Sequence, residues 1–598
     1  MLWYLERMAR LKHERAELES IAGEANWFRT RRWGFDSETR IKIEVDIVIN
    51  DVTYEVELVY PDLFPDTPAF VRPRSSTTAV RWSAHQYGTG GPLCLEWGPD
   101  NWHSEVTGAM LLQSAHKLLC AEAAVGTTPA TVPSRHRTTP GQTLRWTTCR
   151  LVVSGQLRDH LNQFPQESHC SLVTHNLMHG LTDIFFVSAL NSPGEDPVLL
   201  TDVPSGVTTN FPLYAPKGIG WVFKSTRFTG NEEVGNLDAL LTLIHSAGFK
   251  DFTLPPTEGD AATRSDYVFL LQRADNQIRA YSYYSSSSGF FRECVLIGLS
   301  PSEGPRLPLE HIGLAEKKIG IVGLGSVGSK VAVSLTRSGV RRLVLIDDDL
   351  LLPENVCRNE LDWVSVGMHK AEAVKEAVSV VAPEVDVKVL VARIAGQESA
   401  RYAATALDTL ATCDLVIDAT ANSAVFVLLA AICSRRQRSL VWGEVFAGGI
   451  GGLLVRSRPG KDPVPLTMRA GIQAYLETLE PAPFRIATTP YDVEGGNAPP
   501  LIASDAEVSQ FASILTRFAL DAALERDPSD FPDSAYLIGF KRAWIFTAPF
   551  HTQPISVVHP APSETEPPEE QVASPEETIE FLRQLVTQHT NAQARPAE

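Results

Sequence analysis

The chain reads as an α/β and α+β multidomain protein, and three observations carry that reading. Its 598 residues, 44% apolar and 21% charged, can build roughly three or four ordinary globular domains. Near the N-terminus an alternating β meander lies between two helical stretches. Farther on, an apolar strand, a glycine turn, a helix and a second strand ending in acid succeed one another from 318 to 347.

Residues 1 to about 24 are helical by pattern, with Leu2, Leu5, Leu11 and Leu18 set among Arg, Lys and Glu. Two alternating runs, 40–49 and 53–60, flank Asn50-Asp51, a step that suits a hairpin. The proline-bearing turn 60–68 ends the meander, 73–102 is irregular, and Val106 to Ala123 is helical by pattern. These elements set a first domain over 1–126. Residues 127–141, rich in Thr, Pro and Ser, form a linker. A middle α/β domain, 142–310, alternates strand and helix signals at Gly220-Trp-Val-Phe, 237–244 and Tyr267-Val-Phe-Leu-Leu, and carries no chemical motif. The glycine turn belongs to a domain over 311–550. The remainder, 551–598, is mostly disordered by composition, with a short helix at Glu576 to His589.

A net charge of −18 argues against nucleic acid as partner, because neutralising phosphates needs a basic face. A protein partner is expected. The eight cysteines (94, 120, 149, 170, 294, 357, 413, 433) include no CxxC pair, so neither a disulfide framework nor a cysteine zinc site is indicated, and the thiols suit the cytosol. No apolar run reaches the roughly 18 residues of a membrane span. The expectation is a cytoplasmic protein without membrane contact.

Gly323, Gly325 and Gly328 fit GxGxxG between a strand and a helix, and Asp347 lies nineteen residues beyond the last glycine. Such a turn lets backbone amides approach phosphate at a helix N-terminus, so it marks a nucleotide site. A NAD(P) oxidoreductase and an ATP-using enzyme both remain compatible with the turn alone. The downstream residues separate them: Asn355, Arg358 and Gly367-Met-His-Lys370 come after the acid, and a dehydrogenase needs no such cations. This stretch resembles the signature of the ThiF, MoeB and ubiquitin-activating superfamily, a Rossmann-like adenylation fold.

The resemblance implies that ATP is used, that Asp347 holds the ribose, that Arg358 and Lys370 contact phosphates, and that Asn355 supports them. Asp418-Ala-Thr-Ala-Asn422 resembles the family's Asp-x-Thr-Asp-Asn, with Ala421 replacing the second acid. Magnesium would then fall to Asp418, or to Asp348 or Asp349. Ubiquitin-activating enzymes also place a cysteine beyond this core, yet none occurs after Cys433, and Cys413 and Cys433 lie in apolar runs. Ser504 is a weak substitute nucleophile; as a helix N-cap before Glu507 it has a plainer role.

His85-Gln-Tyr-Gly-Thr-Gly-Gly-Pro-Leu-Cys94-Leu-Glu-Trp97, after Tyr60-Pro and before Asn101-Trp102, resembles a ubiquitin-conjugating enzyme around its active cysteine. The resemblance implies a thioester carrier at Cys94 with His85 nearby, since a carrier thiol must be reachable and held in a loop. A buried structural cysteine and a structural loop histidine are the alternatives. The family's His-Pro-Asn is His85-Gln86-Tyr87 here, so the oxyanion donor is open among Gln86, Tyr87 and a backbone amide.

Conjugating domain first and activating domain second resembles the fusion proteins of bacterial CBASS anti-phage operons. That resemblance implies a cGAS-like nucleotidyltransferase as the partner whose C-terminus is ligated to target amines; a ubiquitin-like protein is the alternative, and a scaffold that only binds nucleotide is another. The family's pairing of adenylation domains implies a homodimer.

Overall fold

The computed structural model describes residues 2–74, 82–122 (except 84, 88 and 89), 144, 147–202 (except 180, 181, 193 and 195), 217–255 (except 231), 265–298 (except 286–288), 307–480 (except 398), 502–557 and 574–593. The expected linker 127–141, and the part of the expected tail covering 558–573, lie outside these residues. The chain divides into two compact units, 1–146 and 147–598.

In the first unit, α1 (Trp3–Glu6) and α2 (Met8–Glu24) precede an antiparallel sheet, and α3 (Gly108–Glu122) comes after it. Its strands β1 (Phe28–Phe35), β2 (Ile41–Ile49), β3 (Val52–Val59) and β4 (Phe70–Pro73) are ordered as in the sequence. The single helix expected over 1–24 is broken at Arg7, whose backbone leaves the helical region (φ −120°, ψ 56°). Trp3 packs instead against Tyr60 and Phe64, with ring centroids 5.6 and 4.8 Å away. Asn50 and Asp51 both take positive φ (50° and 63°), as a two-residue hairpin matched to strand twist requires.

Apolar alternation gives no sign of β1, because its centre is Arg29-Thr-Arg-Arg32. Acids on the neighbouring strand explain it: Arg32 pairs with Glu44 (2.8 Å) and Arg31 with the buried Asp46 (2.5 Å), which also takes Arg74 from beyond β4 (2.6 Å). The other face of the sheet buries Ile41, Ile43, Val45, Ile47, Val56 and Leu58 against the helices.

One buried acid joins the helices to the turn after β3. Glu14 of α2 is fully buried and accepts from the Tyr60 hydroxyl (2.8 Å), the Gly108 amide (2.7 Å) and Arg10 Nε (2.8 Å). There is no space for a side chain at 108, where a Cβ would lie 2.1 Å from the Tyr60 hydroxyl oxygen.

The second unit begins with β5 (Cys149–Val153), α4 (Gly155–Gln163), β6 (Ser168–His179), β7 (Thr182–Asn191), β8 (Val198–Leu199), β9 (Lys217–Lys224), α5 (Leu237–Ser246), β10 (Ser265–Gln272), β11 (Ile278–Ser285) and β12 (Phe290–Gly298). Its strand order is β5-β12-β11-β10-β9-β6-β7-β8, and β5 also pairs with β7, so seven strands close into a ring. This sheet is larger than the sequence signals suggest. Strands β6, β11 and β12 carry His, Ser, Asn and Arg among their apolar residues, which blurs the period-2 pattern.

A second sheet is built from β13 (Lys318–Val322), α6 (Ser326–Arg337), β14 (Arg342–Ile346), α7 (Lys370–Val381), β15 (Asp386–Leu390), α8 (Ala400–Leu410), β16 (Leu415–Asp418), α9 (Ser423–Arg436), β17 (Ser439–Phe446), β18 (Gly451–Ser457), α10 (Pro465–Glu477), α11 (Asp505–Ala523), β19 (Ala535–Gly539) and β20 (Thr552–Pro554). Its order is β15-β14-β13-β16-β17-β18-β19-β20, parallel as far as β17 and antiparallel beyond. Helices α6, α7 and α11 share one core with the sheet, and α8, α9 and α10 share the other. The order reverses between β14 and β16 around β13, and ligands of doubly wound sheets bind at the carboxyl ends beside such a switch. A last helix, α12 (Pro575–Gln593), exposes Ile579, Leu582 and Leu585. Among the described residues no helix is long and apolar enough to cross a membrane.

Replacing Glu14 with Ala leaves Tyr60, Gly108 and Arg10 without their shared acceptor, at a cost of about 3 kcal/mol. Hydrogen exchange should therefore quicken across 8–24 and 108–122, while protection in 318–346 stays at the wild-type level.

Candidate functional site

The glycine turn sits at the carboxyl end of β13, and each glycine has its own geometric reason. Gly323 takes φ +83°, and a Cβ there would lie 2.8 Å from Thr420 Cγ2 and 3.0 Å from the Ala419 carbonyl carbon. A Cβ on Gly328 would come within 1.8 Å of the Gly323 carbonyl oxygen. Gly325 differs, since a Cβ there meets nothing within 4 Å. The turn is thus packed against itself and the residues that follow β16 at two glycines, and open at the third. Gly325 is also the N-cap of α6 and supplies no side-chain cap, so the first helical amides are left to a ligand or water.

Asp347, at the end of β14, holds that turn. Its Oδ2 accepts from the Leu324 amide (2.5 Å) and its Oδ1 from the Asp349 amide (2.8 Å). Burial raises its pKa above the ordinary carboxylate value, against the pull of those amides and of Lys370.

Lys370, at the start of α7, is buried, and its ammonium pairs with Asp349. Burial pushes the Asp349 carboxyl up, but the Lys370 hydrogen bond and charge outweigh it and hold the pKa below the usual range. The backbone repeats the link, with the Lys370 amide donating to the Asp349 carbonyl (2.9 Å). Asn355 Oδ1 accepts from the Leu352 amide (3.1 Å), and the Asn355 carbonyl accepts from the amides of half-buried Arg358 (3.2 Å) and buried Asn359 (3.0 Å). One turn of chain thereby fixes the spacing of Asn355 and Arg358.

Asp418 closes β16 with 4% of its surface exposed, and its Oδ1 accepts from the Thr420 amide (3.0 Å) and hydroxyl (2.6 Å). Burial raises this carboxyl as well. Ala421 takes φ +51°, a left-handed conformation that Asp or Asn adopts more readily than Ala. Asn422 caps α9 through its side-chain oxygen, which accepts from the amides of Ala424 (2.9 Å) and Val425 (3.3 Å).

Sequence reasoning missed Glu444 on β17. Its carboxyl is pushed up by burial, lowered by Arg469 and raised by Asp418. An acid inside the run Leu440-Val-Trp-Gly-Glu-Val-Phe446 was the available signal. Magnesium holds to proteins through one or two carboxylates plus substrate phosphates, and Asp418, opposite Val322 at the root of the glycine turn, would supply one such carboxylate.

In the first unit, Cys94 is half-buried in a loop that its backbone closes. The Cys94 amide donates to the His85 carbonyl (2.6 Å), the Tyr87 amide to Pro92 (2.9 Å) and the Leu93 amide to Val71 of β4 (2.8 Å). Gln86 staples the loop from inside: its Oε1 accepts from the Trp82 amide (2.9 Å) and its Nε2 donates to the Gly91 carbonyl (3.1 Å). The Tyr87 hydroxyl lies 3.7 Å from Cys94 Sγ. His85 Nε2 is 3.9 Å from Glu122 Oε1 at the end of α3, a placement that suits a loop anchor. Trp102 Nε1 donates to the Pro65 carbonyl (2.8 Å) and ties its own segment to the 60–68 turn.

Cys413 and Cys433 are buried, and burial pushes their thiols up to about 11 and about 12, so both are protonated at neutral pH. Cys357 is exposed, with its thiol 3.3 Å from the Glu354 carbonyl oxygen. Ser504 is the N-cap of α11, and its amide and hydroxyl both donate to Glu507. That capping box gives Ser504 the helix-capping role its sequence context allows.

The fold and this constellation define a doubly wound α/β domain with a glycine turn at its switch point. Residues 310–466 match the ThiF family, so the chain carries a ThiF domain. Over 148 residues the chain is 37% identical to the uncharacterized protein y4qC of Sinorhizobium fredii (24% of this chain, 25% of that protein). It is 32% identical over 128 residues to the ATP-dependent ubiquitin transferase-like protein Cap2 of Enterobacter hormaechei (21% and 20%). It is 28% identical over 144 residues to the adenylyltransferase and sulfurtransferase UBA4 of Debaryomyces hansenii (24% and 29%). The chain therefore spans no more than 29% of the length of these relatives. Among solved structures, E. coli MccB with ATP is 18% identical, covers 42% of this chain and 66% of its own, and superposes with a TM-score of 0.30.

The raised carboxyl of Asp418 gives a stability prediction with a definite sign. An acid whose folded pKa exceeds its unfolded value binds more protons when folded, so its contribution to stability falls as pH rises through the carboxylate range. Asp418→Asn removes the charge and keeps the acceptor for Thr420. Thermal unfolding should show the variant gaining on wild type as pH rises from below the carboxylate range to neutrality. A constant difference would mean that burial of Asp418 carries no charge cost.

Proposed function

We propose that this protein activates the C-terminal carboxylate of a partner protein with ATP, receives the acyl group on Cys94 and ligates it to an amine. The carrying observation is the coexistence in one chain of a ThiF-matched turn, held by Asp347 and followed by the Lys370–Asp349 pair, and a loop-held, half-buried cysteine in a separate α+β unit.

In the first step a partner carboxylate oxygen attacks the α-phosphorus of ATP, and the bond to the leaving pyrophosphate breaks. The open amides at the start of α6 would receive phosphate, Asp347 would orient the ribose side of the site, and Arg358 and Lys370 would sit against the growing negative charge. Asp349 keeps the Lys370 ammonium at that edge, and its three donors allow it to serve carboxylate and phosphate together. Magnesium, held by Asp418, would neutralise phosphate charge. In the second step the Cys94 thiolate attacks the acyl carbonyl and AMP leaves. An amine then attacks the thioester, forming the amide and returning the thiolate. Carrying both sites on one chain raises their effective concentration.

The partner in this reading is a cGAS-like nucleotidyltransferase of a CBASS operon and the chain acts as a cytoplasmic homodimer; similarity to an ATP-dependent ubiquitin transferase-like protein supports the transfer step. The ubiquitin-like modifier-activating enzyme 5 of Caenorhabditis elegans, 36% identical over 80 residues, supports a ubiquitin-like protein as the other choice. Ala421, in place of an acid, favours a second reading in which the site binds nucleotide without turning it over.

Pyrophosphate exchange into ATP distinguishes these readings, run with magnesium and each class of partner bearing a free C-terminus. The proposal expects exchange that depends on one partner, survives Cys94→Ala and falls at least about a hundredfold in Lys370→Ala. Nucleotide binding without exchange for either partner would favour the scaffold.

A further inference from the structure

We infer that Tyr87 supplies the hydrogen bond that stabilises the oxyanion when an amine attacks an acyl group on Cys94. The assignment rests on the proposed carrier role of Cys94 and adds a catalytic residue to it.

Three observations carry the assignment. The Tyr87 hydroxyl is 3.7 Å from Cys94 Sγ, on a side chain that is 66% exposed, so apolar burial does not account for its position. The backbone fixes the base of that side chain, since the Tyr87 amide donates to the Pro92 carbonyl (2.9 Å) and the flanking Gln86 and Leu93 form a β-bridge. The Gln86 side chain and the Cys94 amide are committed to the loop itself. Gln86 is buried, with its Oε1 accepting from the Trp82 amide (2.9 Å) and one Nε2 hydrogen donated to the Gly91 carbonyl (3.1 Å), and the single hydrogen of the Cys94 amide goes to the His85 carbonyl (2.6 Å).

In a thioester the carbonyl carbon is one bond from sulfur and its oxygen one bond further. A phenol near the sulfur can therefore approach that oxygen at the roughly 3 Å an oxyanion donor needs. Amine attack forms the C–N bond and moves the carbonyl π pair onto oxygen. Collapse restores the carbonyl, breaks the C–S bond and leaves thiolate on Cys94. The amine's proton passes to solvent, and Tyr87 keeps its own. Tyr87 thus takes the donor role, while Gln86 shapes the loop.

The test uses the full chain and a small acyl probe, so it does not depend on the natural partner. Wild type, Tyr87→Phe, Tyr87→Asn and Cys94→Ala are treated with the N-acetylglycine thioester of 2-mercaptoethanesulfonate and freed of excess reagent. Lysine is added, and the acyl mass on the Cys94 peptide is followed. Discharge is compared from equal amounts of loaded protein, and unfolding temperature is measured for each variant.

The inference expects lysine-dependent discharge to slow by about 10- to 100-fold in Tyr87→Phe at unchanged unfolding temperature, with Tyr87→Asn recovering most of the rate. Discharge of Tyr87→Phe at the wild-type rate overturns it. Equal slowing in both variants with a lowered unfolding temperature overturns it too, because the loop rather than the hydroxyl would then be responsible. If wild type takes up no acyl group on Cys94, the carrier reading itself fails, an outcome distinct from normal loading with indifference to Tyr87.

Discussion

The ThiF-matched domain depends on one constraint, the hold of Asp347 on the glycine turn. A turn that exposes its amides to a ligand cannot also satisfy them internally, so something outside must keep it in shape. Asp347 does so from the next strand by accepting the Leu324 amide with one oxygen and the Asp349 amide with the other. The same carboxylate therefore fixes the turn and the start of the segment that carries Asp349, Asn355, Arg358 and Lys370. Gly323 and Gly328 complete the arrangement by letting the turn pack against Ala419 and against itself.

Charge at the site is arranged in an unsymmetrical way. Lys370 is buried beside an acid whose pKa it lowers, whereas Asp418 is buried with a threonine as its hydrogen-bond partner and is held protonation-prone. Unpaired burial of a carboxylate costs stability, and such a cost is commonly found where a cation or phosphate binds. Ala421 sharpens the contrast, since it adopts a backbone conformation better suited to the acid it replaces. Glu444 supplies a second carboxyl that interacts with Asp418 from the adjoining strand.

The elements legible in the sequence were those whose signal is local. The glycine turn, the Asn50-Asp51 hairpin and the burial of Cys413 and Cys433 each rest on a few neighbouring residues. Strand β1 was not legible, because Arg31 and Arg32 become strand residues only once Asp46 and Glu44 lie opposite. The closed ring of the middle region was hidden for a related reason: β5 meets β7 and β12 across long separations that no local period encodes. Around Asp347 and Lys370, the Asp349 pairing was not legible, because it joins a loop to the start of a helix 21 residues on, and Glu444 was masked by its apolar neighbours. For Ser504, the hydrogen bonds to Glu507 display the N-cap role that its sequence context allowed.

The central claim is that one chain both activates an acyl group and carries it. Intact-mass analysis of the full protein, after incubation with ATP, magnesium and a partner bearing a free C-terminus, tests it most directly. The account predicts a covalent partner adduct that thiol cleaves, that maps to Cys94 and that disappears in both Cys94→Ala and Lys370→Ala. An ATP-dependent adduct that maps to any other residue, or that persists in Cys94→Ala, would contradict it.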